Sequence, residues 1–280
     1  MWTCHLMGGL GNQLFQIFAT MAWALDRNDT YVFPERNATP TRATYWNSFL
    51  SFLQRDLHTQ ATVALNYVPV RETRFAYETL GVAPSVHHVV LVGYFQSYKY
   101  FKHQQDRIFQ RISLKTKKQT VLKRYPRETS GTISLHFRIG DYKSLPEYHP
   151  LLPLEYYEKS LQQILQREIT ENTEKSSQVL VFYELDDLDD VMTQIGHLMD
   201  TFPHLTFELI HTAIPDWEQM LLMSHCRHNI IANSTFSWWG AYFNETPGRI
   251  VCYPSIWFGP KLAHHDTRDL FPPDWTRIAI

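Results

Sequence analysis

"CHLMGGLGNQLFQIFATMAWAL", residues 4–25, decides how the chain is read. A short apolar run, Trp2–Met7, predicts a strand. Gly8, Gly9 and Gly11 follow. Then Leu14, Phe15, Phe18, Met21, Ala22 and Leu25 recur at helical spacing, which predicts a helix from about Asn12 to Asp26. Strand, glycine turn and helix together open an α/β unit. Glycines let a backbone approach a ligand closely, and a helix start offers free N–H groups and a positive dipole end. Asn12 and Gln13 add amides at that end. The turn is not a dinucleotide fingerprint, because Leu14 stands where its third glycine belongs. No Gly-Lys-Ser/Thr follows, so it is not a P-loop. Two readings stand: contact with an anionic ligand, or a tight turn with Asn12 as helix cap.

Alternation continues along the chain. Thr30–Phe33 predicts a short strand, residues 34–85 are irregular, and Val89–Val92 predicts a buried strand with a helix from about Tyr98. The basic stretch 113–131 reads as a domain connection or as a helix with a solvated face. Beyond it, strands are expected at 132–137, 178–183, 205–210, in "HNIIANS", and last at 249–254. Helices are expected at 152–168, from about Leu188, at 216–225 and in "TFSWWGAYF". Such βα units predict parallel sheets with helices on both faces, in two domains, 1–125 and 126–280.

Composition narrows the function. The 280 residues are 44% apolar and 19% charged, enough for an ordinary core. With 26 basic and 28 acidic residues the net charge is −2, which provides no general field for nucleic acid or an anionic membrane. Three cysteines are too few for a disulfide framework and point to a reducing compartment. No leader pattern or long apolar segment is present, so a cytoplasmic location is expected, with the Golgi lumen only for a chain that has lost an anchor. The sequons at Asn37, Asn233 and Asn244 then carry little meaning. Aromatics at 14% suit either sugar faces or core packing.

Two further stretches carry chemistry. In "SLHFRIGDYKSL", 134–145, a strand ends near Phe137, and His136, Arg138, Asp141 and Tyr142 crowd its carboxyl end, where open α/β sheets bind ligands. Arg138 offers a planar fork for phosphate; its alternative is an ion pair with Asp141 bracing the loop. In "IIANSTFSWWGAYF", 230–243, Ser234 or Thr235 can cap a helix whose N–H groups face a ligand. "DDLDD", 186–190, holds Asp187-x-Asp189, a spacing suited either to a divalent metal or to acids at a helix start.

"GGLGNQLFQIFA", "LVGYFQSYKYF", "HFRIGDY", "IIANSTFSWWGAYF" and "DLFPPDWTRI", in this order, resemble the α-1,2-fucosyltransferase family, glycosyltransferase family 11, over nearly the whole chain. The resemblance implies an α/β, GT-B-like fold of two Rossmann-like domains facing a central cleft. It implies GDP-β-L-fucose as donor, a glycan acceptor, an α-1,2 product formed with inversion, and no metal or other cofactor. It places Arg138 on the donor diphosphate, and the turn of Gly9, Leu10, Gly11 and Asn12 near the donor. His136, Glu184, Asn233, Ser234, Thr235, Phe236 and Ser237 complete the expected donor contacts. Arg138 and Asn12 would stabilise the leaving group, and Asp141 or His136, with Glu147 and His149 behind them, would serve as base. Many members carry acids where this chain has Leu185 and Gln219, which bears on the grip on guanine. Transfer of another nucleotide sugar, or non-catalytic sugar or nucleotide binding, are the competing functions. Residues 34–85 are expected to choose the acceptor.

Overall fold

The computed structural model describes residues 1–83, 85–173 and 175–280. Its packing forms two compact units, Met1–Lys117 with His265–Pro272, and Lys118–His264 with Pro273–Ile280. The sequence reading divides the chain once, at 125/126; packing divides it at Lys117/Lys118 and returns 265–272 to the first unit. The reason for that return is polar. Asp269 accepts the Tyr77 N–H at 3.2 Å and pairs with Lys99, and its carbonyl accepts the Ser97 hydroxyl at 2.6 Å.

In the first unit, β1 (Trp2–Cys4) leads through the glycine turn into α1 (Leu10–Asp26). Next come α2 (Gln60–Val63), β2 (Val68–Arg71), β3 (Val89–Val92) and α3 (Gln105–Arg111), then α4 (Leu114–Arg124), which contains the division. The sheet is parallel in the order β1-β3-β2, with Trp2 opposite Val89 and Val68 also opposite Val89. Trp2, Cys4, Val89 and Leu91 are buried on one side, and α1 contributes buried Phe15 and Phe18. Apolar burial of this kind, at about 25 cal/mol per Å², is what makes the unit's core.

Two expectations change, and one open choice is decided. Thr30–Phe33 is not a strand; only isolated bridges join Tyr31 to Trp2 and Phe33 to Leu57. The helix expected from Tyr98 begins as short tight turns at 98–100 and 102–104, and α-helix starts only at Gln105. The connection at 113–131 is helical through Arg124, because Leu114, Lys118 and Val121 are buried at helical spacing.

The second unit alternates regularly: β4 (Thr132–His136), α5 (Leu154–Thr170), β5 (Gln178–Phe182), α6 (Leu188–Thr201), β6 (Thr206–Leu209), α7 (Asp216–Met223), β7 (His228–Ile230), α8 (Thr235–Tyr242), β8 (Val251–Pro254) and β9 (Thr276–Ile278). The expected last strand at 249–254 is therefore followed by another, β9, paired in parallel to β8. Among the described residues the sheet runs β6-β5-β4-β7-β8-β9. Numbered within the unit, that is the doubly wound order 3-2-1-4-5-6. The chain leaves β4 towards one edge and β7 towards the other. Their carboxyl ends therefore border the crevice where such sheets bind ligands.

A buried polar network anchors α5 beneath this sheet. Glu168 accepts the Ser176 hydroxyl at 2.6 Å and lies 3.0 Å from His228 Nε2. His228 Nδ1 accepts the Ile250 N–H at 2.8 Å, so its proton belongs on Nε2, towards Glu168. Burial, against the pull of Glu168, holds His228 down at about 4, so the ring is neutral at ordinary pH. Glu168→Ala removes the acceptor and leaves these buried donors unpaired. We expect a loss of about 1–3 kcal/mol in urea unfolding, the cost of a buried donor left unsatisfied. Glu168→Gln, which keeps one acceptor, should lose less. Equal stability of the alanine variant and wild type would contradict this reading.

Candidate active site

In the first unit the helix begins earlier than its apolar pattern predicts. Gly9, not Asn12, holds the cap position, and Asn12 lies inside the first turn. Gly8 adopts φ +77°, and a Cβ there would stand 2.5 Å from Asn12 Nδ2. Gly9 has open space around it. The Gly8 carbonyl accepts the Gln13 amide at 3.0 Å and the Asn37 amide at 2.8 Å. Gln13 also donates to the Ala43 carbonyl at 2.8 Å, so it braces the turn instead of offering its amide to a ligand. Asn12 Oδ1 accepts from Gln96 Nε2 at 3.0 Å, an orientation that turns its own NH₂ group away from Gln96. Leu10 and Gly11 are buried at the helix start.

A pocket of about 450 Å³ lies beside that turn, lined in part by His5, Arg36, Asn37, His58, Tyr67 and Val92. His58 is fixed from both sides, by Thr3 Oγ1 at 3.0 Å and Thr62 Oγ1 at 3.1 Å. Burial holds His58 below its ordinary value, so it is neutral at pH 7.

In the second unit, Arg138 stands just past β4. Its guanidinium pairs with Asp141 at 2.6 Å and with Glu184, and lies 5.2 Å over the Tyr142 ring. The Arg138–Asp141 pair read as an alternative from the sequence thus forms, and Glu184 joins it. Further N–H donors of the guanidinium remain for a ligand. Gly140 turns the loop at φ +22°, and its N–H is accepted by Asp187 at 2.7 Å. Asp187 is buried, and Lys143 bridges to Asp190 at 2.6 Å. Asp187 and Asp190 of "DDLDD" thus brace the Arg138 loop.

His136 ends β4 fully buried, with its ring 5.5 Å from Phe236 at the start of α8. Burial first, then the charge of Arg138, pushes it down to about 3. Its Nδ1 is a buried atom without a hydrogen-bond partner among the described residues. A neutral imidazole of that kind is a poor base near pH 7 but can share a hydrogen bond. Ser234 caps α8, its hydroxyl accepting the Phe236 N–H at 3.3 Å. Ser237 donates to the Ser234 carbonyl at 3.4 Å, and Thr235 begins the helix. Asn233 donates to the Pro150 carbonyl at 2.9 Å, while its buried Oδ1 has no hydrogen-bond partner among the described residues. The Tyr142 hydroxyl donates to the Asn233 carbonyl at 3.0 Å, tying the β4 loop to the start of α8.

The outer candidates separate from this group. Glu147 pairs with Lys261 at 2.6 Å, whereas His149 stacks on Tyr142 at 4.8 Å. Gln219 is held by its amide to the Ile214 carbonyl at 2.8 Å, and its neighbour Glu218 is buried between Arg124 and the Tyr125 hydroxyl. Leu185 is exposed. Sequence reading missed Tyr142 as a platform, Asp187 as a brace, and Gln96 and Asn37 as supports; Gln96 lay inside a quoted motif, but the others carried no signal of these roles. The sequons at Asn233 and Asn244 are buried, and Asn37 holds Gly8, so packing already occupies all three. No helix among the described residues is long and apolar enough to cross a membrane.

These features can be set beside known proteins. The chain matches Glycosyl transferase family 11 over residues 1–279 and belongs to that family. It is similar to the O-antigen biosynthesis glycosyltransferase WbnK of Escherichia coli, 37% identical over 134 residues, which cover 47% of this chain and 40% of that protein. It is 25% identical to an alpha-1,2-colitosyltransferase of Escherichia coli, over 98% of this chain and 97% of the relative. It is 24% identical to a galactoside 2-alpha-L-fucosyltransferase of Caenorhabditis elegans, over 97% and 77%. A family 9 glycosyl transferase structure from Veillonella parvula aligns with 99% of the chain and 86% of its own length, at a TM-score of 0.48 and 9% identity.

The two turn glycines should behave differently on substitution. Gly8→Ala is expected to cost about 1–2 kcal/mol in thermal unfolding, from the left-handed backbone, and to displace Asn12. Gly9→Ala should fold as wild type, so a loss of turnover in that variant alone would mark Gly9 as a point of ligand approach. Equal stability of Gly8→Ala and wild type would contradict the strained turn.

Proposed function

We propose that the chain transfers L-fucose from GDP-β-L-fucose to a hydroxyl of a galactoside, with inversion and without a metal. The observation that carries this reading is Arg138 at the β4–β7 crevice, opposite a capped helix start, in a chain of this glycosyltransferase family. The galactoside fucosyltransferase supports the acceptor and sugar. A second donor, activated colitose, is favoured by the relative that matches both chains almost end to end.

Breaking the glycosyl–phosphate bond builds negative charge on the leaving diphosphate. Arg138 meets that charge with donors already oriented by Asp141, Glu184 and the Tyr142 ring. A preorganised cation favours the transition state over the ground state. His136 contributes a neutral hydrogen bond, and the α8 start, Asn233 to Ser237, contributes N–H groups. In the first unit, Asn12 is read as a neutral amide that faces substrate. Burial argues against His136 as base and favours Asp141, which retains a solvent-facing side chain. Glu184 is suited to ribose hydroxyls. The pocket beside Asn37 would receive the acceptor, its valines meeting a sugar's C–H face and His5 and Arg36 its hydroxyls.

Incubation with GDP-fucose, nucleotide-activated colitose and a galactoside panel, in EDTA, tests the reading through product linkage by NMR. Arg138→Lys should fold normally and lower kcat about a hundredfold, because a point charge cannot replace the fork. Near wild-type kcat would remove Arg138 from the reaction, and activity lost in EDTA but restored by Mn²⁺ would overturn metal independence.

The pocket has its own test. Val63 lines it from an exposed position, so Val63→Trp should fill it without disturbing the core. We expect the acceptor KM to rise about tenfold, a change of about 1.4 kcal/mol, with donor hydrolysis unaltered. An unchanged acceptor KM would place the acceptor elsewhere.

A further inference from the structure

Glu72 follows β2 directly, and its carboxylate lies beneath the turn after β3. Oε2 accepts the Tyr94 N–H at 2.9 Å and Oε1 accepts the Phe95 N–H at 3.0 Å. The contact is close enough to require Gly93, where an added Cβ would stand 2.4 Å from Glu72 Cβ. Phe95 is held at φ +51°, a left-handed conformation that a buried aromatic residue adopts only when its surroundings impose it. Its ring packs edge-on against Tyr100 at 5.4 Å. The next residue, Gln96, is buried and donates to Asn12 Oδ1 at 3.0 Å. One hydrogen-bonded path therefore runs from the end of β2, through the turn after β3, to the first turn of α1.

We propose that Glu72 is a positioning residue for Asn12: its carboxylate fixes the Gly93–Phe95 turn, the turn aims Gln96, and Gln96 fixes the Asn12 amide. The catalytic consequence rests on the reading that Asn12 faces substrate. As a carboxylate, Glu72 accepts both N–H groups. Once it is protonated, one oxygen becomes a hydroxyl, a weaker acceptor, and the N–H it served is held less firmly. The turn then loosens, and the Gln96–Asn12 bond with it.

The surroundings put that change near neutrality. Burial, then the charge of Glu78, raises Glu72 from its ordinary value to about 7, against the two N–H bonds. The ionisable neighbours are Glu78, itself bound by Thr73 and Arg74, and Tyr100, whose hydroxyl accepts the Glu78 N–H at 3.2 Å. Tyr77 packs on Tyr100 at 4.8 Å. The sign for stability follows from linkage. A carboxyl raised on folding binds its proton more tightly when folded. Its contribution is complete below the unfolded value, near 4.5, and is lost as pH rises through about 7. The clamp thus engages over the same interval in which this group's contribution to stability falls.

The test needs no substrate. Side-chain amide spectra of asparagine- and glutamine-labelled protein are followed between about pH 5.5 and 8.5. The Asn12 amide should shift with a midpoint near that of Glu72. In Glu72→Gln it should stay at its low-pH position, and in Gln96→Ala it should stop responding while Glu72 still titrates. Turnover of Glu72→Gln should match wild type at low pH and fall about tenfold below it at high pH, in kcat rather than acceptor KM. An Asn12 signal that ignores pH in wild type, or responds equally in Glu72→Gln, overturns the proposal. A normal Asn12 response with no Glu72 effect on turnover would instead overturn the catalytic use of Asn12 while leaving the relay intact.

Discussion

The guanidinium of Arg138 stands between two carboxylates, and the second unit is arranged to hold it there. Glu184 reaches it from the end of β5 and Asp141 from its own loop. A cation flanked in this way is oriented before any ligand arrives, while its positive charge is locally offset. A diphosphate adds charge that the remaining N–H donors and the α8 start can meet. The same flanking makes the loop depend on Gly140, because a side chain there would press on Glu184 at 3.0 Å. Asp187 then fixes Gly140 by its N–H. The one buried acid of the "DDLDD" run, Asp187, therefore serves the arginine at one remove.

The two units differ in the charge of the groups at their strand ends and helix starts. In the second, an arginine, two carboxylates and a helix start surround the carboxyl ends of β4 and β7. In the first, the groups at the glycine turn are neutral amides, each restrained by another amide or a carbonyl. Gln13, Asn37 and Gln96 fix the turn and Asn12 without introducing a charge. Neutral, restrained donors suit hydroxyl-rich ligands, whereas the arginine suits phosphate.

Much of this was legible in the residues, and the exceptions have physical causes. α1, β4, β5 and α5 were visible because long apolar repeats match one period. β2 was not, since Pro69 interrupts it; as the edge strand beside β3 it tolerates a proline. β9 is three residues long in a tail rich in proline and aromatics, too short for any period. Tyr31 and Phe33 alternate like a strand but find only single bridges. The Arg138, Asp141 and Ser234 cluster could be anticipated because strand ends and helix starts are local features. Glu184 joined them through the family resemblance. The roles of Asp187, Asn37 and Glu72 could not be anticipated, since each acts on a backbone group far away in sequence. His136 was readable at the end of its strand but not as a neutral group, because its burial is a tertiary property.

Arg138 is proposed to take a diphosphate at the carboxyl edge of the second sheet. The most direct measurement is calorimetric titration of GDP and of guanosine into wild type and Arg138→Ala. Wild type should prefer GDP over guanosine, and Arg138→Ala should erase this preference while leaving guanosine binding unchanged. A GDP preference that survives in Arg138→Ala would contradict it, because the diphosphate would then be held by other groups.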